Sequence, residues 1–124
     1  MKIDENLNKI ELFTRLSSSA TAEKCDGKIS DSENCGRPLG LVVKDNNLYI
    51  VDAVNGLYSV NLKTKQLHHI PIQAYLANVL DQDSAKNLLY NDIRFDPVKP
   101  NLAYITISTT KYRMNQLPFS LLGK

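Results

Sequence analysis

Short stretches in which apolar and polar residues alternate cover most of the chain, a pattern typical of β-strands with one buried face. The clearest series lies in the middle of the sequence, at residues 38–44, 47–53, 56–62 and 66–72. Turn-forming residues separate these stretches: Asp45-Asn46, Val54-Asn55 and residues 63–65. Four short strands joined by tight turns predict an antiparallel meander. Such a sheet cannot bury both of its faces alone.

The chain on either side of this meander is less regular. Residues 9–16 alternate well enough to predict one more strand, and the polar stretch 17–34 predicts a long loop. Apolar residues at loosely helical spacing within residues 75–89 predict either a helical turn or an irregular insertion.

The strand pattern repeats further along the chain. Residues 41–43 and 47–51 are echoed by residues 93–95 and 101–106, at an offset of 52 residues that grows to 54 or 55 through a longer turn. Short strands repeated at a period near 50 residues are typical of β-propeller blades.

The fold predicted for residues 1–124 is therefore all-β, a partial β-propeller. Residues 9–16 would be a strand of a preceding blade, residues 38–72 one complete four-stranded blade, and residues 90–124 the start of the next. A propeller closes with about four to eight blades. The missing blades are expected to come from a longer chain or from self-association.

Composition adds little to this picture. With 15 Lys and Arg against 13 Asp and Glu, the net charge is +2, which gives no argument for a nucleic-acid partner. No apolar run approaches the roughly 20 residues that span a bilayer, and the polar first residues do not form a secretory signal.

Two cysteines, Cys25 and Cys35, flank a polar stretch that contains glycine and serine. A disulfide closing this loop would contribute about 2–3 kcal/mol, provided that the compartment is oxidising. Two free thiols in a reducing compartment are the alternative, and the loop position favours the disulfide. Zinc is not supported, because no second cysteine pair and no His-x-x-x-His motif supplies the other ligands.

Two sequence strings carry a resemblance to a known family: CGRPLGL at residues 35–41 and NLYIVDA at residues 47–53. They resemble the strictosidine synthase-like family, in its branch of adipocyte plasma membrane-associated proteins. The similarity continues through Asn91-Asp92-Ile93 and Lys111-Tyr112-Arg113 and covers most of residues 10–122. That family is a six-bladed propeller related to calcium-dependent paraoxonases and lactonases.

This resemblance implies a location in the secretory pathway, membrane-associated or extracellular, and a hydrolase-like parent of the arylesterase type acting on a small-molecule ester or lactone. It also implies that Cys25 pairs with Cys35. Asn91 is the candidate calcium ligand by resemblance, and Asp52 and Asp92 are expected to line the channel, with Asn91 near Asp52.

Each of these site residues has a structural alternative. Asn91 and Asp92 are also suited to a turn that satisfies nearby backbone groups, and Asp52 to a cap on the turn before Gly56. Calcium takes six to eight oxygen ligands, more than these residues supply. Calcium is therefore expected in the full-length parent and is not assured for this chain.

The chain also departs from the family. Ile107 stands where the family has an aspartate, and the catalytic glutamate and most calcium ligands lie in blades that this sequence lacks. We therefore expect the isolated chain to be inactive. The alternatives are a calcium-dependent esterase or lactonase completed by self-association, and a non-catalytic propeller that offers a binding surface.

Other polar residues are expected to be structural. His68 and His69 are neighbours on a strand and point to opposite faces, so they cannot act on one ligand together. Arg37 is expected to brace the loop through carbonyl oxygens.

Overall fold

A computed structural model describes residues 2–4, 9–16, 25 and 32–111 of the chain. Many more of the described residues lie in strands than in helices, which confirms the all-β class. The elements in chain order are β1 (Lys2–Asp4), β2 (Lys9–Glu11), α1 (Ser32–Cys35), β3 (Pro38–Lys44), β4 (Asn47–Asp52), β5 (Gly56–Asn61), β6 (Leu67–Ile70), α2 (Ile72–Leu76), α3 (Gln82–Lys86), β7 (Leu89–Phe95) and β8 (Ala103–Thr109).

The predicted meander is present as a four-stranded antiparallel sheet in the order β3-β4-β5-β6. Its first turn has both central residues in the left-handed region, Asp45 at φ 47° and Asn46 at φ 63°. This backbone matches the twist of the adjoining strands, and Asp and Asn tolerate it better than other residues with side chains. The turn residues therefore fix the register in which Leu41 pairs with Ile50.

The strand predicted at residues 9–16 is shorter than expected. Only Lys9–Glu11 is extended, and it pairs with β1, which the pattern did not predict. The following residues leave the strand conformation because Phe13 and Leu16 turn onto the meander. Burying these two side chains replaces the strand pairing that the alternation suggested.

The meander buries residues on both faces. On its first face, Ile50, Tyr58 and Val60 pack with Phe13 and Leu16. On its second face, Val51 and Leu57 pack against Leu88, Tyr90 and Ile93 from the later part of the chain. The second face is thus covered by the β7–β8 pair and the segment before it.

Two short helices, α2 and α3, lie between β6 and β7. The predicted segment 75–89 holds α3 and the end of α2, with residues 77–81 in neither helix, so it is partly helical and partly irregular. Ile72 and Leu76 of α2 pack on the same core as Val51. Asp81 caps α3 by accepting a hydrogen bond from the Ser84 amide at 2.9 Å. The hydroxyl of Ser84 also donates to Oδ2 of Asp81, and this bond first and the amide bond second lower the pKa of Asp81.

Strands β7 and β8 form an antiparallel pair at the positions where the repeat predicted strands, with Ile93 opposite Ile105. Asp96 holds the connecting turn: its Oδ1 accepts from the amides of Lys99 at 2.7 Å and Val98 at 2.8 Å. These two bonds, with a third from the Tyr104 hydroxyl, lower the pKa of Asp96. The rest of the predicted blade, residues 112–124, lies outside the described part of the chain.

Tyr90 is fully buried, and its hydroxyl has no hydrogen-bond partner among the described residues. Burial also raises the pKa of Tyr90. Because phenylalanine keeps the ring and removes the unpaired hydroxyl, we expect Tyr90→Phe to leave the free energy of unfolding unchanged or to raise it by up to about 1 kcal/mol. Urea unfolding measures this difference. A loss of stability would mean that the hydroxyl is hydrogen-bonded.

Candidate functional site

The two repeat units meet where β3 and β7 lie side by side. A Cβ atom placed on Gly40 of β3 would lie 2.7 Å from Cα of Asp92 and 3.0 Å from the carbonyl oxygen of Asn91. Both of these neighbours are backbone atoms that cannot move aside cheaply. Only glycine therefore allows this approach, and it brings Asn91 and Asp92 against the first strand of the meander.

Asp52, at the end of β4, is fully buried. Its Oδ1 accepts from the backbone amides of Val54 at 3.0 Å and Asn55 at 2.8 Å, and its Oδ2 accepts from the amide of Arg37. We call this arrangement the Asp52 clamp. These hydrogen bonds show that Asp52 caps the turn before Gly56, which is one of its two predicted alternatives.

Backbone hydrogen bonds extend from the clamp to both neighbouring segments. The amide of Ala53 donates to the carbonyl of Arg37 at 2.9 Å, and the amide of Tyr90 donates to the carbonyl of Ala53 at 3.1 Å. The residues before β3, the end of β4 and the start of β7 are thus joined at one end of the sheet. Asp52 also affects a neighbouring tyrosine. Burial raises the pKa of Tyr58, and the negative charge of Asp52 raises it further.

The disulfide predicted between Cys25 and Cys35 is present, with Cα atoms 5.6 Å apart. Cys35 is followed by Gly36, which has a φ of 76° and leads directly into the clamp. A Cβ on Gly36 would lie 2.8 Å from Oδ2 of Asp52. Because disulfides persist in non-reducing surroundings, this pair indicates such an environment.

Asn91 and Asp92 differ in their surroundings. Asn91 is exposed, whereas Asp52 is buried, and the expected proximity of Asn91 to Asp52 stays a prediction. Oδ1 of Asp92 accepts from the Ile93 amide at 2.9 Å and from Nη1 of Arg94 at 3.0 Å. The latter contact is an exposed ion pair, which contributes little to stability.

The metal-binding potential of these residues is low as they stand. Within residues 2–4, 9–16, 25 and 32–111, no group of three or more His, Cys, Asp or Glu side chains is placed to hold a metal ion. Asp52 has both oxygens occupied by amides, and Asp92 has one oxygen shared with Arg94. Any calcium at Asn91 would need most of its oxygens from elsewhere.

The two histidines are exposed on the last strand of the meander. Nε2 of His69 lies 2.8 Å from the carbonyl oxygen of Asn55, and its ring lies 4.7 Å from that of Tyr58. His69 therefore supports the turn that belongs to the Asp52 clamp. Arg37 contributes there through its backbone amide and carbonyl, and bracing of the loop by its guanidinium stays a prediction.

Comparison with known proteins gives no assignment: no protein-family model, no curated protein and no solved structure matches this chain. The described helices are all too short or too polar to cross a membrane.

Proposed function

We propose that this chain is part of a six-bladed propeller of the strictosidine synthase-like kind. Residues 38–72 are one complete blade, residues 90–124 begin the next, and residues 9–16 belong to the preceding one. The full-length parent is a hydrolase of the arylesterase type in the secretory pathway, membrane-associated or extracellular, that acts on a small-molecule ester or lactone.

One observation carries this proposal: equivalent positions of the two repeat units differ in burial as stacked blades require. Leu41 of β3 corresponds to Ile93 of β7, and Leu41 is 57% exposed whereas Ile93 is 1% exposed. Ile93 is covered because it faces the meander. Leu41 faces the side on which a preceding blade would lie.

The other face of each repeat unit shows the same difference in burial. Tyr49 of β4 corresponds to Tyr104 of β8, and the Tyr49 ring meets the Phe95 ring of β7 at a centroid distance of 5.0 Å. Tyr104, in contrast, is 57% exposed. A further blade placed against β8 as β7 is placed against β4 would cover it. Blades added in both directions by this one packing relation form a propeller.

Activity in the proposed parent depends on residues from several blades. An ester carbonyl is hydrolysed when positive charge stabilises the developing oxyanion, and a calcium ion held in the channel would supply that charge. Asn91, Asp92 and Asp52 are too few ligands for it, and Asp52 is occupied by amides. The isolated chain is therefore inactive in this proposal, unless copies associate to complete the channel.

A second candidate function, a non-catalytic binding module, is favoured by the Asp92–Arg94 ion pair. Arg94 offsets the negative charge of Asp92, the carboxylate next to Asn91 in the sequence. Ile107, which stands where the family has an aspartate, adds no compensating charge.

Hydrolysis of phenyl acetate tests the proposal. The purified 124-residue chain is expected to show no rate above buffer, in calcium or in chelator. A chain extended by the missing blades is expected to show a chelator-sensitive rate that Asn91→Ala abolishes and Asn101→Ala, at an exposed position in the β7–β8 turn, leaves intact.

Each other outcome favours a different account. A chelator-sensitive rate from the short chain that rises faster than linearly with protein concentration would contradict its inactivity and favour self-association. A folded extended chain without activity would contradict the hydrolase and favour the binding module.

A further inference from the structure

The Cys25–Cys35 disulfide lies close in sequence to the Asp52 clamp. Cys35 is two positions before Arg37, whose amide donates to Oδ2 of Asp52. Gly36 between them packs so closely on Asp52 that it leaves no room for a side chain. The segment from Cys35 to Arg37 thus has one end held by a covalent bond and the other by a buried carboxylate.

The clamp in turn positions the start of β7. Ala53 follows Asp52 directly, and it accepts from the amide of Tyr90 while it donates to the carbonyl of Arg37. A displacement of Arg37 removes one partner of Asp52 and one partner of Ala53. The only other partners of the Asp52 carboxylate among the described residues are the amides of Val54 and Asn55, in its own turn.

We propose that the disulfide and the Asp52 clamp form one redox-sensitive device that sets the order of the strand ends at the candidate site. A dithiol donates two electrons and two protons, the Sγ–Sγ bond breaks to give two thiols, and the dithiol closes to its own disulfide. The segment from Cys35 to Arg37 is then no longer linked covalently to Cys25. The hydrogen bonds of the Asp52 clamp therefore break more often. This inference does not depend on the proposed function.

The chain contains a matched control for this device. Asn61 caps the turn after β5 much as Asp52 caps the turn after β4, since its Oδ1 accepts from the amides of Lys63 and Thr64, each at 2.9 Å. Residues 61–64 have no link to the disulfide in the described structure. A local effect of reduction should therefore reach the turn of Asp52 and leave the turn of Asn61 unchanged.

Amide hydrogen exchange on the full chain, with and without dithiothreitol, tests the proposal. Reduction is expected to speed exchange at Ala53, Val54 and Asn55 by about tenfold or more, because local opening sets the exchange rate. Exchange at Lys63 and Thr64 is expected to stay within about twofold. Unchanged exchange at Val54 and Asn55 would overturn the proposal, and so would an equal increase at both turns, which would indicate a general loss of stability.

Two variants separate the steps. Cys25→Ser should show the exchange pattern of the reduced protein and no response to dithiothreitol. Gly36→Ala should show the same pattern with the disulfide intact, because the new methyl group meets Oδ2 of Asp52 and the φ of 76° disfavours alanine. Protection of Val54 and Asn55 in oxidised Gly36→Ala would contradict the coupling through Gly36.

Discussion

Replacing Asp52 by alanine is expected to lower the free energy of unfolding by about 2–4 kcal/mol. The substitution leaves the amides of Arg37, Val54 and Asn55 without their acceptor at a buried site. Unsatisfied buried donors cost more than the net value of the bonds that are lost. Urea unfolding followed by circular dichroism measures the difference.

Asn61→Ala is the matched control, because Asn61 also accepts two turn amides but is only half-buried, with both hydrogen bonds exposed to solvent. We expect it to cost about 0.5–1.5 kcal/mol. Equal losses of unfolding free energy for the two substitutions would mean that burial of Asp52 adds nothing to stability. The clamp would then be no more stabilising than an ordinary turn cap.

The second large effect is expected at Ile93. Its side chain is 1% exposed in the core between the meander and β7, so Ile93→Ala should cost about 2–4 kcal/mol through the cavity that it leaves. Leu41→Ala, at the equivalent position of the first repeat, should change stability by no more than about 0.5 kcal/mol, since Leu41 is already 57% exposed.

The same pair distinguishes a propeller from an accidental repeat. In a chain extended by the preceding blade, Leu41 should become buried, and Leu41→Ala should then cost about as much as Ile93→Ala. If Leu41→Ala stays neutral in the extended chain, the two repeat units are not related as neighbouring blades.

Most of the strands and turns were predictable because their signals are local. Alternation fixes which residues of a strand share a face, and Asp45-Asn46 favours one kind of tight turn whatever surrounds it. The helices α2 and α3 were only partly predictable, because helices of five residues are too short to show a period. The strand predicted over residues 12–16 is wrong, because packing of Phe13 and Leu16 on the meander overrides their alternation.

The candidate site was less predictable than the strands. An aspartate four residues before a glycine suits both a channel and a turn cap, and only the position of Arg37 shows that both oxygens of Asp52 are occupied. The contact of Gly40 with Asp92 joins residues far apart in sequence, and no local pattern reports it. The one available signal was the pair of glycines in the string at residues 35–41, both of which allow a close approach.

The packing of the two repeat units against each other, with β3 beside β7, is tested most directly by nuclear Overhauser contacts in the labelled, oxidised chain. The close approach at Gly40 predicts a strong contact between its α-protons and the α-proton of Asp92, together with contacts from Val51 methyl groups to Ile93. Contacts within the meander, such as Leu41 to Ile50, serve as the reference. Meander contacts without any between Gly40 and Asp92 would contradict the packing and the blade relation that rests on it.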